Sequence, residues 1–323
     1  MNRESGIEDA DPLAAKAGHT NGSQRSSTKL PATLALIAVS AIWGTTFTLV
    51  KSALEDASSL LFLTLRFGVA TLSLWVAFRW KGPLRLNGTL ARNGAILGIA
   101  LFGGYLFQTV GLRFTTPARS AFLTGLFIVF VPALLALHRR KLPRPSELAG
   151  IAVALIGLRL LASPISFDGA SKGDALTLVC AVSYAVHILL LGRFSPAGNI
   201  RALTLLQIGM AFVLSLASFW WAEEAFLRAS ARLWIAVGVT GILATAVAFL
   251  VQTWAQQIIP PTRTAFIFAL EPVFAWITSF LAIGERLSAS GILGAALILA
   301  GIFLVETKTL PSPFRHARLR KLE

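Results

Sequence analysis

Apolar runs of about twenty residues, separated by short polar connections, recur along the whole chain. A helix that crosses the hydrocarbon core of a bilayer needs about 20 consecutive apolar residues. Ten such segments are predicted, at residues 31–50, 60–78, 93–112, 118–137, 146–163, 173–191, 201–221, 233–255, 262–283 and 288–306. The connections carry the breakers and much of the charge: "KGPLRLNG" from Lys81, "RRKLPRP" from Arg139, "RFSPAGN" from Arg193 and "IIPPT" from Ile258. None is long enough to hold a soluble domain, so the pattern predicts an all-α integral membrane protein. Residues 1–30 are polar, mix acids with bases and contain no apolar run, which predicts a disordered cytoplasmic tail and argues against a signal peptide. Residues 307–323 read as a basic tail.

Composition and charge sharpen this picture. Of 323 residues 55% are hydrophobic and only 14% charged, a balance that a water-soluble domain would not tolerate on its surface. The net charge of +14 would suit a nucleic-acid partner only if the basic residues gathered on one solvated face. They lie instead in short loops, so no nucleic acid is expected. Positive loops are retained in the cytoplasm. With the N-terminus inside, about 20 of the 29 basic residues fall on the inner side, among them Arg79, Lys81, Arg85, Arg92, the Arg139–Arg140–Lys141–Arg144 cluster and Arg315, Arg318, Arg320 and Lys321. Both termini are therefore expected in the cytoplasm. One cysteine, Cys180, excludes a disulfide framework, and His19, His138, His187 and His316 are too scattered for a short metal motif, so no metal or cofactor is expected. Without a G-x-x-x-x-G-K-[ST] phosphate loop or a G-x-S-x-G serine, neither ATP coupling nor hydrolytic chemistry is indicated.

The chain repeats itself. A shift of 144 residues places "YLFQTVGLRFTTPARSAFLTGLFIVF", from Tyr105, over "FLVQTWAQQIIPPTRTAFIFALEPVF", from Phe249. Gln108 then meets Gln252, Pro117 meets Pro261, Arg119 meets Arg263, Gly150 meets Gly294 and Gly157 meets Gly301. A slightly smaller shift sets Leu65, Arg66 and Ala70 on Leu206, Gln207 and Ala211. The units, 31–165 and 171–306, hold five predicted helices each. Five is odd, so the second unit enters the membrane from the opposite side. Two inverted five-helix repeats around a midplane site are a recurrent device of secondary transporters.

"AIWGTTFTLVKSAL" in the first helix, "LRFGVATLSL" in the second, and "LEPVF" followed by "GERLS" around the ninth resemble the EamA-type transporters of the drug/metabolite transporter superfamily, over about residues 31–306. The resemblance implies ten helices with cytoplasmic ends, transport without ATP, a bacterial inner-membrane location and, frequently, export of amino acids or other small metabolites. An importer of the same fold, for a nucleobase or a sugar, and a nontransporting scaffold or sensor are the alternatives. In one respect the two halves differ: Phe127 and Ile128 stand where the second half has Glu271 and Pro272.

Polar residues inside spans mark a candidate pathway, because they are costly against lipid and face the bundle interior. Tyr105 and Gln108 share one helical face, as do Gln252 and Gln256. Tyr184 and His187 lie on the sixth helix, Arg66 on the second and Gln207 on the seventh. Trp43 and Trp276 are deep enough to wall a cavity. Arg119 and Arg263, in matched first turns, are gate candidates, each expected to need an acceptor partner because cations are unfavourable at helix N-termini. Glu271 lies near the midplane. Pro272 removes the N–H that would bond the Phe268 carbonyl, so a kink is expected there. A protonated Glu271 can donate to such a carbonyl, whereas an ionised one needs water, a substrate ammonium or a cation such as Arg66. The proton is thus a candidate coupling ion, with a small-molecule substrate and the lipid bilayer as partners.

Overall fold

The structure, a computed structural model, describes residues 12–84, 86–162, 171–197, 199–283 and 289–307. Arg85, the "GERLS" segment at 284–288 and the basic tail from 308 lie outside the described residues. Among the described residues every extended element is helical, apart from one isolated antiparallel bridge between Ala57 and Leu227.

The helices are α1 (Pro12–Ala53), α2 (Ser59–Arg79), α3 (Gly88–Arg113), α4 (Pro117–Thr124), α5 (Phe127–Arg139), α6 (Pro145–Leu161), α7 (Lys172–Phe194), α8 (Ile200–Ala222), α9 (Ala231–Gly241), α10 (Ala248–Ala255), α11 (Pro261–Phe268), α12 (Glu271–Ile283) and α13 (Ala289–Thr307). Among the described residues seven helical stretches are long and apolar enough to cross a membrane: Lys29–Ala53, α2, α3, Pro117–Arg139, α7, α8 and Ala231–Ala255. α6 is shorter, at 17 residues, and α11 with α12 is interrupted. The outer surface carries large apolar side chains, including Leu72, Trp80, Trp220, Trp221, Leu281 and Phe303, while Arg66, His187, Gln207, Gln252 and Glu271 are buried. That inversion of the soluble pattern fits a protein whose solvent is lipid.

Three boundaries differ from the sequence reading. α1 starts at Pro12, so residues 12–30, expected as a disordered tail, continue the first helix. Proline fits a first helical position, and Ala14, Ala15 and Ala17 are strong helix formers. The predicted helix 262–283 is broken at Ala269–Leu270, where the Leu270 N–H turns back to the Ile267 carbonyl at 3.1 Å. The predicted helix 118–137 is broken at the equivalent Gly125–Leu126, where the Leu126 N–H bonds the Leu123 carbonyl at 3.2 Å. No proline lies at that first break, which corrects the attribution of the kink to Pro272 alone. Pro272 occupies the second position of the new helix, where its missing N–H costs nothing.

Close approach explains why α1 sits against the second break. A Cβ on Gly44 would lie 2.6 Å from the Glu271 carbonyl oxygen and 2.8 Å from the Ala275 nitrogen, and Ser40 Oγ donates to the Ile267 carbonyl at 3.2 Å. The most extensive helix contact is α6 on α13. There Gly150 abuts Gly301 and Gly157 abuts Gly294, with would-be Cβ atoms 2.6–2.9 Å from the opposing carbonyl oxygens. Small residues permit this spacing in a membrane, where dispersion and not hydrophobic exclusion drives association.

Candidate functional site

A cavity of about 50 Å³ lies between α1, α2, α3, α7, α10 and the two helix breaks. Eight residues singled out from the sequence line it: Trp43, Arg66, Tyr105, Gln108, Tyr184, His187, Gln252 and Glu271. At this volume the cavity holds a few water molecules and no metabolite, so loading requires the helices to part.

Glu271 opens α12 directly after the break, which delivers its carboxyl to the cavity wall. Among the described residues it forms neither a side-chain hydrogen bond nor an ion pair. Arg66 lines the same cavity but turns elsewhere: Nε donates to Thr245 Oγ1 at 2.8 Å and Nη2 to Tyr105 Oη at 3.0 Å. Its guanidinium also lies 4.3 Å from the Tyr105 ring centroid, a cation–π geometry. Arg66 is thus not the cation that pairs with Glu271. A carboxyl and a guanidinium share one cavity and do not touch.

The glutamines are held by neighbouring helices. Gln108 Nε2 donates to Thr124 Oγ1, at the end of α4, and Gln108 Oε1 accepts from Tyr184 Oη. Gln252 Nε2 donates to Gln256 Oε1 at 2.9 Å, and Gln256 Nε2 donates to the Ile188 carbonyl. The Gln252 side-chain oxygen, Oε1, is buried without a protein donor among the described residues, which makes it an available acceptor. Gln207 does not line the cavity; it shares a 2.8 Å hydrogen bond with His187 and donates to Thr253. Gln256 also stands behind the wall. Trp276 packs with the cluster around Ile128, Leu158 and Val273 and does not line the cavity; five residues beyond Glu271, it lies about 140° around α12 from the carboxyl that does.

One backbone acceptor escaped the sequence reading. Between α9 and α10, Ile242–Val247 forms a π-helical segment, and the Ala248 N–H reaches Leu243 and Thr245. The Ala244 carbonyl, released from the α pattern, accepts from Trp43 Nε1 at 2.8 Å, with Tyr105 Oη and Arg66 Nη2 at 3.4 and 3.5 Å. Such segments recur at functional sites. Apolar lining residues were missed too, notably Phe47, Phe127, Phe249 and Phe268. The repeat offers a signal for some of them. Tyr105 aligns with Phe249, and the smaller shift sets Trp43 on Tyr184, Thr46 on His187 and Phe47 on Ile188, all of which line the cavity.

At the end predicted to face outward, ionic contacts tie the two halves together. Arg119 pairs with Asp174 at 2.6 Å, and Thr115 donates to the same carboxylate. The acceptor expected for Arg119 is therefore present; Arg263, at the opposite end, is half-buried. Asp56 accepts from Ser230 Oγ at 2.7 Å and from Arg232 at 2.9 and 3.0 Å, beside the Ala57–Leu227 bridge. The bond from Ser230, then those from Arg232, hold the Asp56 carboxyl below its ordinary value of 3.8. A depressed carboxyl contributes stability that is complete above the unfolded value and is lost as pH falls through the folded one. In Ala57→Cys, labelling by a membrane-impermeant maleimide should stay constant from about pH 7.5 to 5, once corrected for thiolate reactivity. Pre-incubation below about 3.8 should raise it. Loosening already at neutral pH would assign control of this end to another group.

Comparison with known proteins agrees with this geometry. The profile of the EamA-like transporter family matches residues 30–163 and again 171–307. An uncharacterized transporter of Archaeoglobus fulgidus is 32% identical over 280 residues, covering 87% of each chain. YedA, an uncharacterized inner membrane transporter of Escherichia coli (strain K12), is 25% identical over 300 residues, 88% of this chain and 95% of its own. A solved crystal structure superposes with a TM-score of 0.71 at 20% identity, covering 86% of this chain and 96% of that one, and shares the fold. The chain is an integral membrane transporter, not an enzyme, and belongs to the EamA-like transporter family.

Proposed function

We propose that this protein is a secondary carrier exporting small amino-acid-like metabolites from the bacterial cytoplasm by alternating access, coupled to protons. Its ten crossings form two inverted five-helix units, with both termini in the cytoplasm. The observation that carries the substrate class is the separation of Glu271 from Arg66 within one cavity. An ammonium group finds an acceptor in Glu271 and in Gln252 Oε1, and a carboxylate finds a donor in Arg66. Export follows the resemblance to EamA-type carriers, and cytoplasmic ends follow the loop charge.

Reciprocal contacts support the inverted units. If Gly150 corresponds to Gly294 and Gly157 to Gly301, a two-fold relation requires Gly150 to meet Gly301 and Gly157 to meet Gly294, as they do. α2 and α8, equivalent under the smaller shift, also pack on each other. The departure from symmetry supports a direction of opening. Val50, Thr109 and Leu112 line the cavity, whereas their counterparts Leu191, Thr253 and Gln256 do not. The conformation is read as occluded with the cavity leaning outward, Arg119 closing the outer gate and Arg263 belonging to the inner one.

Purified protein in liposomes, with an imposed pH gradient and a mixed pool of amino acids, sugars and nucleobases, tests the reading. Accumulation of one or more amino acids, abolished by a protonophore, is expected. Accumulation of a sugar or nucleobase alone would reject the substrate class, and accumulation insensitive to the protonophore would reject the coupling.

A further inference from the structure

A groove of about 570 Å³ lies away from the central cavity, where the end of α5, the start of α6 and the first turn of α11 meet. Among the described residues five basic side chains line it, Lys29, Arg139, Lys141, Arg144 and Arg263, against a single carboxylate, Glu147. That carboxylate is already engaged in starting α6, accepting from the Arg144 N–H at 3.0 Å. The rest of the wall is largely apolar and includes Leu135, Leu142, Ile258 and Val305. Leu142, in the middle of the basic run, is 90% exposed.

We propose that this groove binds the phosphate headgroup of an acidic phospholipid, with the acyl chains against its apolar wall. Retention of positive loops in the cytoplasm requires only that the loops be basic. It does not require the charges to converge on a concavity, and Arg79 and Arg92, predicted on the same side, lie outside the groove. Guanidinium groups bind phosphate oxygens through paired N–H donors, and basic pockets between transmembrane helices hold anionic headgroups. Exposed Leu142 and the apolar wall favour a lipid over a soluble anion, which would leave them in water.

The inference is independent of the transport reading; topology decides only the leaflet, and nanodiscs present both. Full-length protein in phosphatidylcholine nanodiscs is titrated with phosphatidylglycerol and, separately, with inorganic phosphate, and retained ligand is counted by native mass spectrometry. Wild type should retain phosphatidylglycerol in preference to phosphatidylcholine. Arg139→Gln/Lys141→Gln, at two exposed positions, should lower that retention about fivefold or more, whereas Arg79→Gln/Arg92→Gln removes equal charge outside the groove and should change it less than about twofold. Equal losses in the two pairs would reduce the effect to net charge and overturn the site. Retention of phosphate without phosphatidylglycerol would assign the groove to a soluble anion and overturn the lipid. Absence of any lipid preference in wild type overturns the proposal without reference to a variant.

Discussion

Glu271→Gln should insert and fold like wild type yet lose pH-gradient-driven transport by about tenfold or more, which corresponds to about 1.4 kcal/mol in the coupled step. Glutamine matches glutamate in shape and still accepts and donates hydrogen bonds, so the turn at Ala269–Leu270 and the close packing of Gly44 on the Glu271 carbonyl are preserved. What it cannot do is gain and lose a proton. The carboxyl lines the central cavity with no bonded cation among the described residues, and an intramembrane acid so placed is expected to serve a substrate or proton pathway. Exchange of labelled substrate at equal pH on both sides separates the two roles, because it needs binding and reorientation but no net proton movement. Retained exchange with lost gradient-driven uptake is the expected pair of results. Wild-type uptake with unchanged pH dependence in the variant would leave Glu271 as a structural carboxyl at the start of α12.

Gly157→Leu should abolish a stable fold, at a cost of about 3 kcal/mol or more. The new Cβ would fall 2.6 Å from the Gly294 carbonyl oxygen and 2.8 Å from the Ile298 nitrogen. Both are backbone atoms of α13 and cannot swing aside as a side-chain tip would, so the two helices must separate along their main contact. Gly294→Leu meets the mirror-image obstruction at Gly157 and should fail likewise. Gly209→Ala is the control: nothing lies within 4 Å of the added Cβ, and removing a glycine from the interior of α8 should stabilise it by about 0.5–1 kcal/mol. Size-exclusion profiles and thermal melts in detergent read all three. Monodisperse Gly157→Leu melting with wild type would show that α6 and α13 are not held at the distance described.

The long apolar spans were legible because a bilayer imposes one length on every helix that crosses it, and the buried polar residues were legible because few groups other than functional or bridging ones survive there. The break at Gly125–Leu126 was not. Gly125 is a weak helix former, but glycine is common within membrane-spanning helices, and Phe127 and Ile128 carry no breaker. Apolar lining was equally hidden: in helices hydrophobic on every side, Phe249 against the cavity and Leu243 toward lipid look alike. Trp43 and Trp276 show the limit most clearly. Both are deep tryptophans near a helix break, yet Trp43 lines the cavity and Trp276 packs on the cluster with Leu158 and Ile298, a difference set by helix packing and not by depth.

The π-helical segment at Ile242–Val247 bears on how this helix tolerates changes in length. A π turn accommodates one residue more than an α turn along the same path, so a single deletion within it restores the α pattern and leaves α9 and α10 each facing its present neighbours. The same deletion a turn later would swing everything beyond it by about 100° and carry Gln252 off the cavity wall. The segment is therefore a slack link in the chain. What its removal takes away is the free Ala244 carbonyl that anchors Trp43.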